Sequence, residues 1–251
     1  MPVSLAISKA DLDFDNGSFD SVAFARQALA DWHSLAGIID HTLLRPEATR
    51  VQVENLCDEA LRYRFACAMV NPVWVPAAVS LLSGTDIRVG SVVGFPLGGN
   101  LVSTLRHEVA ALTRLGAREL DMVMPIGLLK SGEYAAAEHA IRAVAKEAHQ
   151  GGALLKVILE TALLSVEEKL RGTEIAIQAG ADFIKTSTGF AAGGAMVADI
   201  ALLRGVAGSR CGVKASGGIR TLADVRGLLE AGANRIGASA SVAIVQELGA
   251  D

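Results

Sequence analysis

Asp40-His41-Thr42-Leu43-Leu44-Arg45-Pro46 joins a short apolar run (38–41) to a stretch of helical periodicity (49–63), and it contains no glycine. A doubly wound nucleotide-binding sheet carries its glycine-rich phosphate turn at this first strand-to-helix junction, so the junction speaks against that architecture. Outward from it, seven more short runs have strand character: 66–70, 88–93, 119–124, 155–160, 183–187, 212–215 and 235–238. Amphipathic segments separate them. The first places Val53, Leu56, Cys57, Ala60 and Leu61 on one helical face. Several close on a glycine, as in Leu115-Gly116-Ala117, Ala179-Gly180-Ala181 and Ala231-Gly232-Ala233. Eight strands alternating with helices predict an α/β fold, a single (β/α)8 TIM barrel, because eight parallel strands with eight crossovers close on themselves. An Ala-rich helical segment (19–34) precedes the first strand, so the expected division is an N-terminal extension with a helix (1–35) and a barrel domain (36–251).

A chain of 251 residues, 51% apolar and 20% charged, suits one domain of this size. The formal net charge of -4 and the scattered Lys and Arg residues argue against a nucleic-acid partner. No apolar run approaches the roughly 20 residues of a membrane span, and the apolar start (1–7) lacks the basic flank of a signal peptide. The expected setting is cytoplasmic. Cys57, Cys67 and Cys211 form no CxxC pair and are read as buried reduced thiols. The five histidines form no ligand cluster in sequence, so no metal is expected.

In a barrel the chemistry comes from the C-terminal strand ends. Polar residues interrupting the apolar strands are Asp40, Asp121, Lys156, Glu160, Lys185 and Lys214, and three of the chain's seven lysines are among them. A buried ammonium is expensive as structure, but burial and a neighbouring cation both lower a lysine pKa, and an amine must be neutral to attack a carbonyl. Two ammonium groups about 4 Å apart at an effective dielectric of about 20 repel by roughly 4 kcal/mol, enough to bring an amine from about 10.4 to near 7. Asp121 beside such lysines is suited to accept and return a proton; taken alone it reads as a salt-bridge partner. Ser216-Gly217-Gly218-Ile219 after the seventh strand and Gly237-Ala238-Ser239 after the eighth occupy the positions of a barrel phosphate site, where glycines let backbone N–H groups reach an anion and the following helix N-termini add favourable dipole, with Thr188-Gly189 as an extension.

Phe183-Ile184-Lys185-Thr186-Ser187-Thr188-Gly189-Phe190 and Val213-Lys214-Ala215-Ser216-Gly217-Gly218-Ile219-Arg220 resemble the two lysine motifs of the deoxyribose-phosphate aldolases, a class I (Schiff-base) family. Ile39-Asp40-His41-Thr42-Leu43-Leu44, Val93-Gly94-Phe95-Pro96-Leu97-Gly98 and Glu119-Leu120-Asp121-Met122-Val123-Met124 extend the resemblance from about residue 38 to the C-terminus. It implies reversible cleavage of 2-deoxy-D-ribose 5-phosphate to acetaldehyde and D-glyceraldehyde 3-phosphate. Lys185 would form the Schiff base, Lys214 depress its pKa, and Asp121 transfer protons with a water. Gly189, Gly217, Gly218, Gly237 and Ser239 would hold the phosphate. Asp40 and Thr188 would meet sugar hydroxyls or the imine, and Lys156 would be a further active-site cation. Pro125, Met69 and Phe190 depart from the asparagine, cysteine and lysine that relatives carry there. The iminium supplies the electron sink, so no organic cofactor is expected. Partners are then a phosphorylated sugar and aldehydes; self-association as a dimer or tetramer is compatible with this reading. Two alternatives stand beside it: another phosphate-binding Schiff-base aldolase, transaldolase-like or acting on a keto acid, and a phosphate-binding barrel without chemistry.

Overall fold

The computed structural model describes residues 19–250, so the start of the extension (1–18) lies outside the described residues. The eight apolar runs are strands: β1 (Ile39–Leu43), β2 (Cys67–Val70), β3 (Arg88–Val93), β4 (Glu119–Val123), β5 (Leu154–Ile158), β6 (Phe183–Lys185), β7 (Gly212–Ser216) and β8 (Arg235–Ala238). Each pairs in parallel with the next and β8 returns to β1, closing the barrel. The helices are α1 (Ser21–Ala28), α2 (Trp32–Ala36), α3 (Arg50–Tyr63), α4 (Val75–Leu81), α5 (Val102–Arg114), α6 (Ile126–Lys130), α7 (Tyr134–Gln150), α8 (Val166–Gln178), α9 (Val197–Ala207), α10 (Leu222–Glu230) and α11 (Ser241–Glu247). Among the described residues none is long and apolar enough to cross a membrane.

Local chemistry sets the boundaries. Thr49 and Gln52 form a reciprocal capping box at the start of α3, as Ser165 and Glu168 do for α8. Gly116, Gly180 and Gly232 take positive φ after their helices, and paired backbone bonds, such as Gly116 N to Thr113 O (3.1 Å) and Ala117 N to Leu112 O (3.0 Å), close each end. The helical segment expected over 19–34 is two helices. Asp31 ends the first by acting as the cap of the second, its carboxylate accepting from Ser34 N (3.0 Å) and Ser34 Oγ (2.9 Å). On α3 the buried stripe ends on Tyr63, and Leu61 turns outward. The fifth run stops being strand at Ile158, and Glu160 adopts φ 57 at the head of a 3-10 turn (Thr161–Leu163). The sixth stops at Lys185. The three cysteines are free and buried, with burial pushing the thiols up, Cys57 to about 11 and Cys211 to about 12.

Alternation along each strand divides the molecule into two interiors. Outward residues such as Ile39, Ala68, Val70, Leu120, Met122, Leu155, Val157, Ile184, Val213 and Ile236 join the helices in one continuous apolar core. That core also takes in Ala25 and Ala28 of α1 and Leu35 of α2, so the helices before the barrel are packed onto it. Inside the barrel the apolar groups are fewer, a small cluster of Leu44, Cys67, Met69 and Val92 together with Phe183, Val123 and Ile158. Beside them the lumen is charged, and it is shaped by glycines. A Cβ on Gly90 would lie 2.1 Å from Met69 Sδ, and one on Gly212 would lie 2.2 Å from the ring of fully buried Phe183. Gly212 and Phe183 are register partners at the foot of β7 and β6, so the phenyl ring fills the volume that the glycine leaves.

That packing makes a direct prediction. Gly212→Ala forces the ring out of place and should lower stability by about 1–3 kcal/mol, as overpacking does. Urea denaturation would read it as a lower midpoint, and Phe183→Leu in the same chain should recover part of the loss; an unchanged midpoint for Gly212→Ala would refute this account of the lumen.

Candidate active site

In β4 the sequence Glu119-Leu120-Asp121 sends both carboxylates inward and Leu120 to the helices. The same period of two sends Lys156 of β5, Lys185 of β6, Lys214 of β7, Arg235 of β8 and Asp40 of β1 into the lumen. The ion pairs between strands that are not neighbours show it: Lys214 of β7 reaches Asp121 of β4 at 2.7 Å, and Lys156 of β5 reaches Asp40 of β1 at 3.2 Å. Register brings the rest together, with Asp121 opposite Lys156 and Lys185 opposite Lys214. The space for Lys214 comes from Gly237, where a Cβ would lie 2.9 Å from Lys214 Cε.

The network is dense. Asp121 Oδ1 accepts from Lys156 Nζ at 2.7 Å, while its Oδ2 accepts from both Lys185 (2.8 Å) and Lys214 (2.7 Å). Lys185 and Lys214 therefore sit within two hydrogen-bond lengths of each other. Lys156 also pairs with Glu119 at 2.7 Å, and Lys214 with Asp40. Arg235 donates to Asp40 Oδ1 (2.6 Å) and to both oxygens of Glu119 (2.6 and 2.8 Å). All seven groups are buried, Lys185 being the most open at 3%.

The protonation states follow from burial against partners. Burial opposes the charge of Asp121, yet Lys156, Lys185 and Lys214 together hold it well below the usual carboxylate range. For Asp40, the Arg235, Lys156 and Lys214 cations likewise overcome burial, and Arg235 and Lys156 do so for Glu119. Burial works against Lys156 too, but three carboxylates raise it well above an ordinary lysine. Lys185 goes the other way. Burial is the largest effect, Asp121 opposes it, and Lys214 adds repulsion, leaving Lys185 pushed down to about 8. The neighbouring ammonium acts in the expected direction, but desolvation is the larger cause.

Above the network a cavity of about 690 Å³ opens at the C-terminal strand ends. Lys185, Thr188, Gly189, Gly217, Gly218, Gly237 and Ser239 line it, all singled out in the sequence. Gly217 and Gly218 both have positive φ, 89° and 75°, and a Cβ on Gly218 or Gly189 would meet nothing within 4 Å, so backbone is presented to open space there. The turn is pinned from behind: Ala195 N donates to Gly217 O (2.9 Å), Ser216 Oγ donates to Ser187 O (2.7 Å), and Thr186 Oγ1 bridges Ser216 N and O.

Four placements differ from expectation. Asp121, Lys156, Lys214 and Asp40 lie beneath the cavity and do not line it, so Asp40 is a partner of cations and not a wall group. Gly237 lies within β8, where it makes room for Lys214. Thr188 has a committed hydroxyl, donating to Glu160 and accepting from Phe190 N at 3.0 Å. The start of α10 adds little dipole to the glycine turn, because its leading N–H groups are taken: Leu222 by Glu247 (2.9 Å) and Asp224 by Thr221 (3.1 Å). Sequence reasoning gave no role to Glu119 and Arg235. The signal was present: each stands two residues before another inward group, Asp121 or Gly237, and so shares its face.

One set of potential metal ligands converges among the described residues, namely Asp40, Cys67 and Glu119. Its two carboxylates already carry Arg235 and Lys156, and burial with the two anions holds the Cys67 thiol well up, so a divalent cation would have to displace a guanidinium and an ammonium.

Phe190 stands half-exposed at the mouth, edge-on to Phe95 with ring centroids 5.3 Å apart.

Deoxyribose-phosphate aldolase of Thermoanaerobacter sp. is 50% identical over 215 residues, which is 85% of this chain and 96% of that protein. The deoxyribose-phosphate aldolase of Halalkalibacterium halodurans is 52% identical over 213 residues, 84% of this chain and 95% of the relative. Among solved structures, a tetrameric deoxyribose phosphate aldolase from Aeropyrum pernix superposes with a TM-score of 0.84 at 34% identity, covering 91% of this chain and 96% of that one. A sequence model described as DeoC/LacD family aldolase matches residues 35–247, and the chain belongs to that family.

Proposed function

We propose that the protein is a class I aldolase that reversibly cleaves 2-deoxy-D-ribose 5-phosphate to acetaldehyde and D-glyceraldehyde 3-phosphate through a Schiff base on Lys185. The observation that carries this reading is the position of Lys185. Among the described residues it is the cation of the buried network that faces the cavity, and its pKa, pushed down to about 8, leaves part of it as free amine near neutral pH.

In the cleavage direction the neutral amine attacks C1 of the open-chain aldehyde, and loss of water gives an iminium. Its positive charge takes the place of the ammonium beside Asp121 Oδ2, 2.8 Å away, so the carboxylate stabilises it without rearrangement. The iminium draws electrons as the C3 hydroxyl loses its proton and the C2–C3 bond breaks. Glyceraldehyde 3-phosphate leaves, the enamine is protonated at C2, and hydrolysis releases acetaldehyde and Lys185. The C3 hydroxyl proton passes through a water to Asp121, which holds it until the same route returns it to C2 of the enamine; Lys214, which shares Oδ2 of Asp121, stays charged beside it. Lys156 fixes the other oxygen of Asp121, and Asp40 holds Lys214.

The open backbone at Gly217, Gly218 and Gly189, together with Ser239, is the proposed 5-phosphate cradle, reached past the wall made by Gly237; Thr188, fixed by Glu160, shapes its edge. Residues 36–251 form the proposed catalytic barrel and 1–35 the extension, supported by a family match that begins at residue 35. A homo-oligomer is proposed on the likeness to the Aeropyrum pernix tetramer, and a cytoplasmic setting without nucleic-acid partners on the composition and the net charge of -4.

Cyanoborohydride reduction with acetaldehyde should add one two-carbon unit at Lys185, mapped by mass spectrometry, and Lys185→Ala should abolish it. An adduct elsewhere, or none, would refute the reading; a faster reaction with dihydroxyacetone as donor would favour a transaldolase-like enzyme. The sign of the pH dependence is fixed by the amine: trapping should rise as pH rises through about 8. Lys214→Met removes a neighbouring positive charge, so Lys185 should keep its proton to higher pH and the rising limb should move upward; a limb that stays in place would contradict this role for Lys214. At the mouth, Phe190→Lys places an ammonium beside the cradle and should lower KM for the phosphorylated sugar roughly fivefold, about 1 kcal/mol, with little change for unphosphorylated deoxyribose.

A further inference from the structure

Two buried charges of the network belong to no step described above. Glu119 and Arg235 occupy the first positions of β4 and β8, below the level of Lys185, and neither lines the cavity. We propose that Glu119 and Arg235 are positioning residues that decide which lysine of the buried cluster gives up its proton, and so make Lys185 the nucleophile. The proposal rests on the Schiff-base reading.

The geometry works through two chains of contacts. Arg235 Nε holds Asp40 Oδ1 at 2.6 Å, which leaves Asp40 Oδ2 for Lys214 and, at 3.2 Å, for Lys156. Glu119 Oε2 holds Lys156 at 2.7 Å, and Lys156 occupies Asp121 Oδ1 at 2.7 Å. Asp121 is left with Oδ2, on which Lys185 and Lys214 both depend. Lys156 thus has three carboxylate partners, Arg235 two, Lys214 two, and Lys185 one shared oxygen. Four buried cations face three buried carboxylates, and the cluster is neutral when one cation loses its proton. Lys185 has the fewest partners and is that cation.

The charged groups packed round Lys185 come from the whole barrel: Asp121 and Glu119 of β4, Lys156 of β5, Lys214 of β7, Arg235 of β8 and Asp40 of β1. Arg88 of β3 joins from the rim through Glu119 (3.2 Å), Cys67 of β2 lies against the two carboxylates of the floor, and Glu160 above is held by Thr188. Glu119 and Arg235 carry opposite charges in one network, so removing each must move the proton affinity of Lys185 in opposite directions. Loss of packing has no such sign.

The test is the pH profile of cyanoborohydride trapping by acetaldehyde in the full-length protein. Glu119→Gln removes an anion, weakens the hold on the Lys185 proton, and should move the rising limb down by about one pH unit; Arg235→Gln removes a cation and should move it up by about as much. Arg235→Lys keeps the charge and should leave the limb where the parent has it, and Glu119→Gln with Arg235→Gln in one chain should return it. Limbs that move the same way, or a Glu119→Gln limb that stays at the parent position, would overturn the proposal. Should Arg235→Gln not fold, Glu119→Gln and Arg235→Lys decide the matter alone. Adducts mapped to a residue other than Lys185 in the parent would instead overturn the Schiff-base reading, which keeps the two failures apart.

Discussion

Everything in the lumen depends on charge neutrality among groups that are almost fully buried. An isolated ion moved into protein interior loses many kcal/mol of solvation, so each buried charge here needs a partner at hydrogen-bond distance. Six of the seven groups have two or more such partners. The seventh, Lys185, shares the oxygen that also serves Lys214. Its pKa falls from 10.5 to about 8, so its proton is held more weakly by about 3 kcal/mol. Reactivity is thus a residue of the pairing: the one amine that the carboxylates cannot satisfy is the one that faces the cavity.

Such a lumen is tolerable because the fold does not rely on it. The apolar core lies outside the sheet, where strand residues such as Leu120, Val157 and Ile184 meet the surrounding helices. Within the barrel, glycines at 90, 212 and 237 yield volume to Met69, Phe183 and Lys214, so long side chains enter without pushing the strands apart. Stability and chemistry are separated by the period of two: in Leu155-Lys156-Val157 the outer residues hold the barrel together and the middle one holds Asp121.

That same period made much of the structure legible in the sequence. A lysine or aspartate between apolar neighbours has to face something other than the helices, which is why Asp121, Lys156, Lys185 and Lys214 stood out, while eight short strands alternating with helices implied a closed barrel. Partners were harder to read. Glu119 and Arg235 share a face with Asp121 and Gly237, but they stand at strand starts, where a charged residue reads as an exposed end, and only closure of the barrel brings the two together. Asp40 was visible as polar, but whether it met substrate or cations depended on which strand lay across from it. The break between α1 and α2 was missed because alanine-rich composition outweighed one aspartate whose capping bond to Ser34 is a matter of geometry. The free helix terminus expected behind the glycine turn is closed by Glu247, a residue of α11 that no local pattern ties to α10.

The site is divided by depth, and the two levels answer to different constraints. On the floor, a substitution changes a charge count shared by seven groups on six strands, so it is felt at Lys185 whatever the substrate. At the mouth, Phe190 touches Phe95 and solvent, and Gly189 and Gly218 point into open space. Changes there act on what is held and leave the amine alone. An ammonium at residue 190 would favour a dianionic end on the substrate, whereas the phenyl ring offers apolar contact and no charge. In the proposed reaction the strength of carbonyl attack and the choice of carbonyl compound would therefore be set by different residues, and the glycine turn at 217 and 218, with its backbone at positive φ, lies between them at the end of the strand that bears Lys214.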